Sequence, residues 1–302
     1  MHDIISIRDF QVGDFEKIFN LAEEMEGAIK KAKPVLTQRK VAATLFFEPS
    51  TRTRLSFQSA AKRLGCEVID FQDPSASSMA KGETFTDTIK IVDGYSDVII
   101  IRHKLEGSAR LAAKIAQAPV INAGDGGNQH PTQTILDLYT IRKLKGDIRK
   151  QKIALFGDLK HARTMRSLLY ALSMYKSKIV LIAPKGLEME SAMIREAEKR
   201  FKVRIEQRKR TDVSDVDVLY VCRIQKERFF DKYEAEKVQR EFRVTKDILR
   251  NAKKDLVVLH PLPKIDEIAP EVDSDPRARY FEQAQFGVPI RMALLYDLLK
   301  EK

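Results

Sequence analysis

Cysteine is scarce: the chain holds only Cys66 and Cys222, far apart and each in an apolar context. Neither can build a C-x-x-C metal clip, and isolated thiols of this kind read as packed side chains in a reducing compartment. Histidine is scarce as well, with five scattered residues and no i,i+4 pair. A zinc site built by this chain is not expected, and no cofactor is implied. No stretch reaches the ~18 consecutive apolar residues of a membrane span. The N-terminus, MHDIISIRDF, brings acid early and has no apolar signal core. The phosphate loop G-x-x-x-x-G-K-[ST] and the dinucleotide fingerprint G-x-G-x-x-G are both missing; GDGG at 124–127 has the wrong spacing. Nor is there a convincing Ser-His-Asp or Cys-His set, an internal repeat or a low-complexity segment. These absences leave a cytoplasmic protein with no membrane role and no protein nucleophile.

What is present is ordinary in bulk. The 302 residues are 43% apolar and 32% charged, a soluble globular composition, and at about 150 residues per domain they suggest two domains. The net charge is +11. Such a balance fits nucleic acid, an acidic surface or small anionic substrates. The basic residues are spread along the chain and are not interleaved with aromatics, which argues against a nucleic-acid stripe. Runs such as KRFKVRIEQRKR, 199–210, read as a solvated face.

Periodicity orders the rest. Phe15, Ile18, Phe19 and Ala22 recur at i, i+3, i+4, i+7, an amphipathic helix. KVAATLFF is a strand, TRTRLSFQSAAKRL a helix stopped by Gly65, and EVIDF a strand, a unit that implies parallel pairing. Helix TFTDTIKIVDGY, strand SDVIIIRH, helix GSARLAAKIA, strand PVINAG and helix HPTQTILDLYTIRKL follow. The polar KGDIRKQK marks a boundary. A second series starts with KIALFGD and runs through KIVLIAP, DVLYVCRI and DLVVLHPLP to a final helix, PIRMALLYDLLKEK. The expected fold is α/β: two domains, each an open parallel sheet flanked by helices. Ligands of such sheets bind at the carboxyl ends of the strands.

One strand-to-helix corner is rich in anion-binding groups: FFEPSTRTRLSF, 46–57. The first N–H groups of a helix lack internal partners and, with the helix dipole, favour an anion. Ser50, Thr51 and Thr53 add hydroxyls, and Arg52 adds a planar fork suited to phosphate oxygens. Capping alone would account for one hydroxyl, not for S-T-R-T-R. Further polar groups sit at strand ends: Arg102 and His103 after DVIII, and His130 at a helix start with Gln133 one turn on, where donors can meet a developing oxyanion.

These stretches, with KGETFTDTI, NAGDGGNQHPTQTILDLY, GDLKHARTMRSL, YVCRIQKERF and HPLPKIDEI, resemble the catalytic chains of the aspartate carbamoyltransferase family, in family order from residue 45 to beyond 285. The resemblance implies carbamoyl transfer from carbamoyl phosphate to L-aspartate, a step of pyrimidine biosynthesis. It implies that Ser50, Thr51, Arg52 and Thr53 hold the phosphate, and that Thr53, Arg102 and His130 contact the carbamoyl oxygen. Gln133 and the carbonyls of Pro261 and Leu262 would take the carbamoyl amino group, and Arg163, Arg223 and Gln225 the aspartate. Ser77 and Lys81 would come from a neighbouring subunit of a homotrimer with shared active sites. Ala80 stands where many relatives carry a second basic residue, and Lys264 where many carry arginine. Ornithine carbamoyltransferase is the near alternative, disfavoured because its H-C-L-P cysteine is Pro261 here. The resemblance implies a carbamoyl phosphate domain over 1–146 with a returning helix at 286–302, and an aspartate domain over 147–285. It places the site between the two, and it suggests a cis Leu262–Pro263 bond. A separate zinc-containing regulatory chain stays open.

Overall fold

A computed structural model describes residues 2–31, 35, 39–71, 78–209, 211–225, 238 and 242–300. The chain divides into two compact units, Met1–Leu136 with Phe286–Lys302, and Asp137–Gln285.

In unit 1, strands β1 (Val41–Phe46), β2 (Glu67–Phe71), β3 (Val98–His103) and β4 (Val120–Asp125) form a parallel sheet in the order β2-β1-β3-β4. Strands β1, β3 and β4 are buried almost throughout, which is why they read as continuous apolar runs. Helices α1 (Val12–Lys31), α2 (Thr51–Leu64), α3 (Phe85–Asp93), α4 (Ser108–Ile115) and the start of α5 (Pro131–Lys145) belong to this unit. Gly65 closes α2 in the left-handed conformation, as its position predicts. The chain leaves β1 toward β2 and returns on the other side as β3, so β1 and β3 flank the switch point where such sheets take ligands.

In unit 2, β5 (Lys152–Phe156), β6 (Lys178–Ile182), β7 (Ile205–Arg208), β8 (Val218–Val221) and β9 (Val257–Leu259) form a parallel sheet in the order β7-β6-β5-β8-β9, with its switch point at β5 and β8. Helices α6 (Arg163–Met174), α7 (Ser191–Phe201), α8 (Lys246–Arg250) and α9 (Tyr280–Gln285) accompany it. Strand β7 corrects the reading of KRFKVRIEQRKR as a solvated face only. Its middle is the edge strand of the sheet, and its charges are paired: Arg208 with Asp215 at 2.9 Å and Glu206 with Lys152 of β5 at 3.0 Å.

The first break between units falls inside α5, ahead of the polar stretch 145–152. The reason is local: Asp137 accepts from Tyr220 and Gln283, each at 2.7 Å, and Lys145 binds Asp255 at 2.6 Å, so the later turns of α5 belong to unit 2. The last helix, α10 (Gly287–Leu299), is buried on nearly all sides and packs against α1 and α2 of unit 1. Arg291 lies over the Phe57 ring of α2 at 5.0 Å, and Asp297 pairs with Lys17 of α1 at 2.7 Å.

Candidate active site

The corner at 50–53 is where β1 meets α2. Ser50 occupies the N-cap position in an extended conformation, but its hydroxyl makes no capping bond to the helix. The first N–H groups of α2 are thus not capped by Ser50, an arrangement that in general favours an anion. Thr51 and Arg52 are exposed, and Thr53 is buried. Partial desolvation draws the Arg52 pKa down from the ordinary arginine value, yet an arginine stays a cation in water. Arg54 turns away toward Asp70, 3.9 Å distant, so one arginine of the pair faces the corner's solvent side.

Arg102 comes to the same strand ends through register: Phe46 of β1 pairs with Arg102 of β3. It is fixed from both sides, by Glu48 at 2.7 Å and by the Ala123 carbonyl at 3.2 Å. That carbonyl is free to accept because β4 carries one extra residue there: Ile101 pairs with Asn122, but His103 pairs with Asp125. His103, the next residue along, faces the other way. It is wedged between Phe47 and Phe85, and its Nδ1 accepts from the Leu105 N–H at 2.9 Å. Burial, with Lys104 nearby, lowers its pKa against the pull of Glu48, so it is a neutral packing residue.

The loop that delivers His130 is tied by Asp125, which is buried. Its carboxylate accepts from the amides of Asn122 and Asn128 and from the backbone N–H of Gly107 and Gln129, all at 2.9–3.1 Å. His130 and Gln133 are both buried at the start of α5. Lys81 is exposed at the end of a 3₁₀ turn, Ser78–Lys81, and Ser77 lies outside the described residues.

Unit 2 gathers its own set at the carboxyl ends of three adjacent strands. Arg163 opens α6 after β5, Arg223 and Gln225 follow β8, and Pro261 and Leu262 follow β9; all five are half-buried. The part of YVCRIQKERF beyond Gln225 lies outside the described residues. Between Phe156 and Arg163, Asp158 is fully buried and accepts from the His161 backbone at 2.9 Å. Gly157 permits the close approach of β5 and β8. Its φ is +116°, and a Cβ there would collide with the Cys222 carbonyl. The Leu262–Pro263 bond is cis, and Leu262 has φ +55°. Asp125, Glu48 and Glu267 escaped the reading of the sequence; each accepts from a buried or half-buried donor, and only a fold reveals which donor.

Two family models match. Residues 2–143 match the aspartate/ornithine carbamoyltransferase carbamoyl-P binding domain, and residues 149–298 match the Asp/Orn binding domain. The chain belongs to the aspartate/ornithine carbamoyltransferase family. An aspartate carbamoyltransferase catalytic subunit of Thermoplasma acidophilum is 49% identical over 98% of this chain and 97% of its own. The catalytic subunit of M. jannaschii aspartate transcarbamoylase superposes with a TM-score of 0.92 at 44% identity, covering 99% of this chain and 98% of that one. A Trypanosoma cruzi aspartate transcarbamoylase, solved in complex with carbamoyl phosphate and aspartate, gives 0.91 at 35% identity, covering 99% and 95%.

Proposed function

We propose that this chain is the catalytic subunit of an aspartate carbamoyltransferase, making N-carbamoyl-L-aspartate and phosphate. The observation that carries the reading is the uncapped α2 N-terminus with Ser50, Thr51, Arg52 and Thr53 at the β1/β3 switch point. Carbamoyl phosphate is already activated, so the protein has to position and to stabilise charge. The neutral amine of aspartate attacks the carbamoyl carbon, forming the C–N bond and a tetrahedral oxyanion. Thr53, Arg102 and His130 donate to that oxygen. The C–O bond to phosphate then breaks, the phosphate dianion leaves into the Ser50–Thr53 corner, and the amine proton departs with it. Gln133 and the Pro261 and Leu262 carbonyls orient the amino group of the donor. Arg163, Arg223 and Gln225 take the two carboxylates of aspartate, for which bidentate arginine is suited.

The reading extends to a homotrimer in which Lys81 and Ser77 serve the neighbouring copy; the exposure of Lys81 suits that use. Two buried free thiols, with the Cys66 pKa pushed up to about 11 chiefly by burial, suit a reducing cytoplasm. The deciding assay supplies carbamoyl phosphate with aspartate or with ornithine and measures the carbamoylated product. Aspartate should be consumed and ornithine left untouched. Comparable turnover of ornithine would overturn the choice of acceptor.

A further inference from the structure

Resting on the reading of Pro261 and Leu262 as acceptors for the carbamoyl amino group, we infer that His260 is the positioning residue that aims them, through its Nδ1 atom. Three observations converge. First, the His260 ring is buried, and its Nδ1 accepts from the Leu262 backbone N–H at 2.8 Å. Accepting there requires Nδ1 to be unprotonated, so the ring proton sits on Nε2. Second, Nε2 lies 2.7 Å from Glu267 Oε1, at an angle off the ring N–H axis, and both side chains are 1% exposed. Burial pushes the Glu267 carboxyl up, but the His260 ring and backbone N–H groups outweigh it and hold it below its ordinary value. A carboxylate there keeps the proton on Nε2 and leaves Nδ1 free to accept. Third, His260's own N–H donates to Gln283 Oε1 at 2.9 Å. Gln283 Nε2 in turn donates to Asp137 at 2.7 Å, and Tyr220 donates to the other Asp137 oxygen at 2.7 Å.

The geometry turns this clamp into an aiming device. The Pro261–Leu262 peptide is trans; the cis bond is the next one, Leu262–Pro263. In a trans peptide the C=O and the N–H point in opposite directions within one plane. Drawing the Leu262 N–H onto the His260 ring therefore turns the Pro261 carbonyl away from the core, toward the place a ligand would occupy. The same bond holds Leu262 at φ +55°, a left-handed conformation that a leucine does not adopt without support. His260 touches no substrate in this account; it acts through the peptide plane.

Two substitutions separate the two ring nitrogens. Asparagine places an amide oxygen where Nδ1 sits and can accept from Leu262, but it cannot reach Glu267. Glutamine places an amide nitrogen near Nε2 and can donate to Glu267, but it offers nothing to Leu262. The probe is phosphonoacetamide, a stable phosphonate with the same terminal amide as carbamoyl phosphate, titrated by calorimetry beside inorganic phosphate. In wild type phosphonoacetamide should bind tighter than phosphate. His260→Gln and His260→Ala should lose about tenfold in phosphonoacetamide affinity, the scale of one misdirected hydrogen bond, with phosphate affinity unchanged. His260→Asn should recover most of that loss while unfolding at lower temperature than His260→Gln, because it strands Glu267. Should His260→Ala fail to fold, the Gln and Asn pair still gives the contrast. Asparagine binding as weakly as glutamine, or all three variants binding like wild type, would overturn the aiming role. A wild-type protein that binds phosphonoacetamide no better than phosphate would instead sink the underlying assignment of Pro261 and Leu262.

Discussion

The role proposed for Arg52 separates chemistry from folding. The side chain is exposed on α2, and its guanidinium is available to an anion at the helix start. If the proposed role holds, replacing it with alanine removes a charge-assisted donor from the leaving phosphate, worth about 3 kcal/mol where charge develops, or roughly a hundredfold in kcat/KM. The melting temperature of Arg52→Ala should stay within about 2 °C of wild type, because no core contact is lost. Steady-state kinetics and thermal unfolding of the same preparation check both halves, and near-normal kcat/KM would remove Arg52 from the reaction. The placement of Ser50, Thr51, Arg52, Thr53 and His130 where strands end and helices begin was legible in the sequence. The buried acceptors around them were not. Glu48 is one glutamate among many until β1 and β3 lie side by side, and Asp125 looks like a turn residue until four donors converge on it.

Strand ends fix the spacing of Arg163, Arg223 and Pro261 in unit 2, and at Gly157 the β5 end meets the β8 end closely. The positive φ of Gly157 and its packing against the Cys222 carbonyl leave no room for a methyl group. Gly157→Ala should cost about 3 kcal/mol or more in urea unfolding, through strain and displacement together. It should also raise KM for aspartate, since Arg223 follows Cys222 directly; an unchanged KM would show that the β8 end does not set the aspartate site. Strands β1, β3, β4, β5 and β6 were readable as apolar runs because both faces of a parallel sheet are covered. Strand β7 was hidden for the opposite reason: at a sheet edge charges protect the backbone, so Ile205–Arg208 looks like solvated surface. Helix α10 packs on α1 partly through Asp297. Burial raises its carboxyl pKa, but Lys17 and Lys300 outweigh that and hold it below the ordinary value. Its stabilising effect is therefore present above the unfolded carboxylate pKa of about 3.9 and is lost as the pH falls through the lower folded value. Asp297→Asn should cost about 1 kcal/mol at neutral pH. The gap to wild type should close in acid below about pH 4, as followed by urea unfolding at several pH values. A gap that is the same at every pH would mean that packing, not charge, joins the two helices there.

At the scale of the whole molecule, the shared-site reading makes a demand that no single chain can meet. If each site takes Arg52 from one copy and Lys81 from another, then Arg52→Ala and Lys81→Ala are both inactive alone. Dissociated and reassembled together, they should regain part of the activity, because mixed rings contain sites with both residues intact. Labelled subunits would report the exchange. Exchange without recovered activity would confine Lys81 to its own chain. The two-domain division was legible from the two series of strands and helices around KGDIRKQK; the return of the final helix came only from the family resemblance. The compact units part earlier, inside α5, because Asp137 meets Tyr220 and Gln283 across more than eighty residues of sequence.

The returning helix also sets the order in which the protein can be completed during synthesis. Unit 2 is one continuous segment, Asp137–Gln285, and has all its strands before the chain ends. Unit 1 begins first and finishes last, because α1 and α2 must await α10 to cover their inner faces. At about 5–20 residues per second, the ribosome needs roughly ten to thirty seconds to travel from the end of β4 to the last helix. Through that interval the half of the enzyme made first carries an open apolar seam around Phe15, Phe19 and Phe57. The nascent chain is thus most exposed to chaperones, and to other nascent chains, at its oldest end.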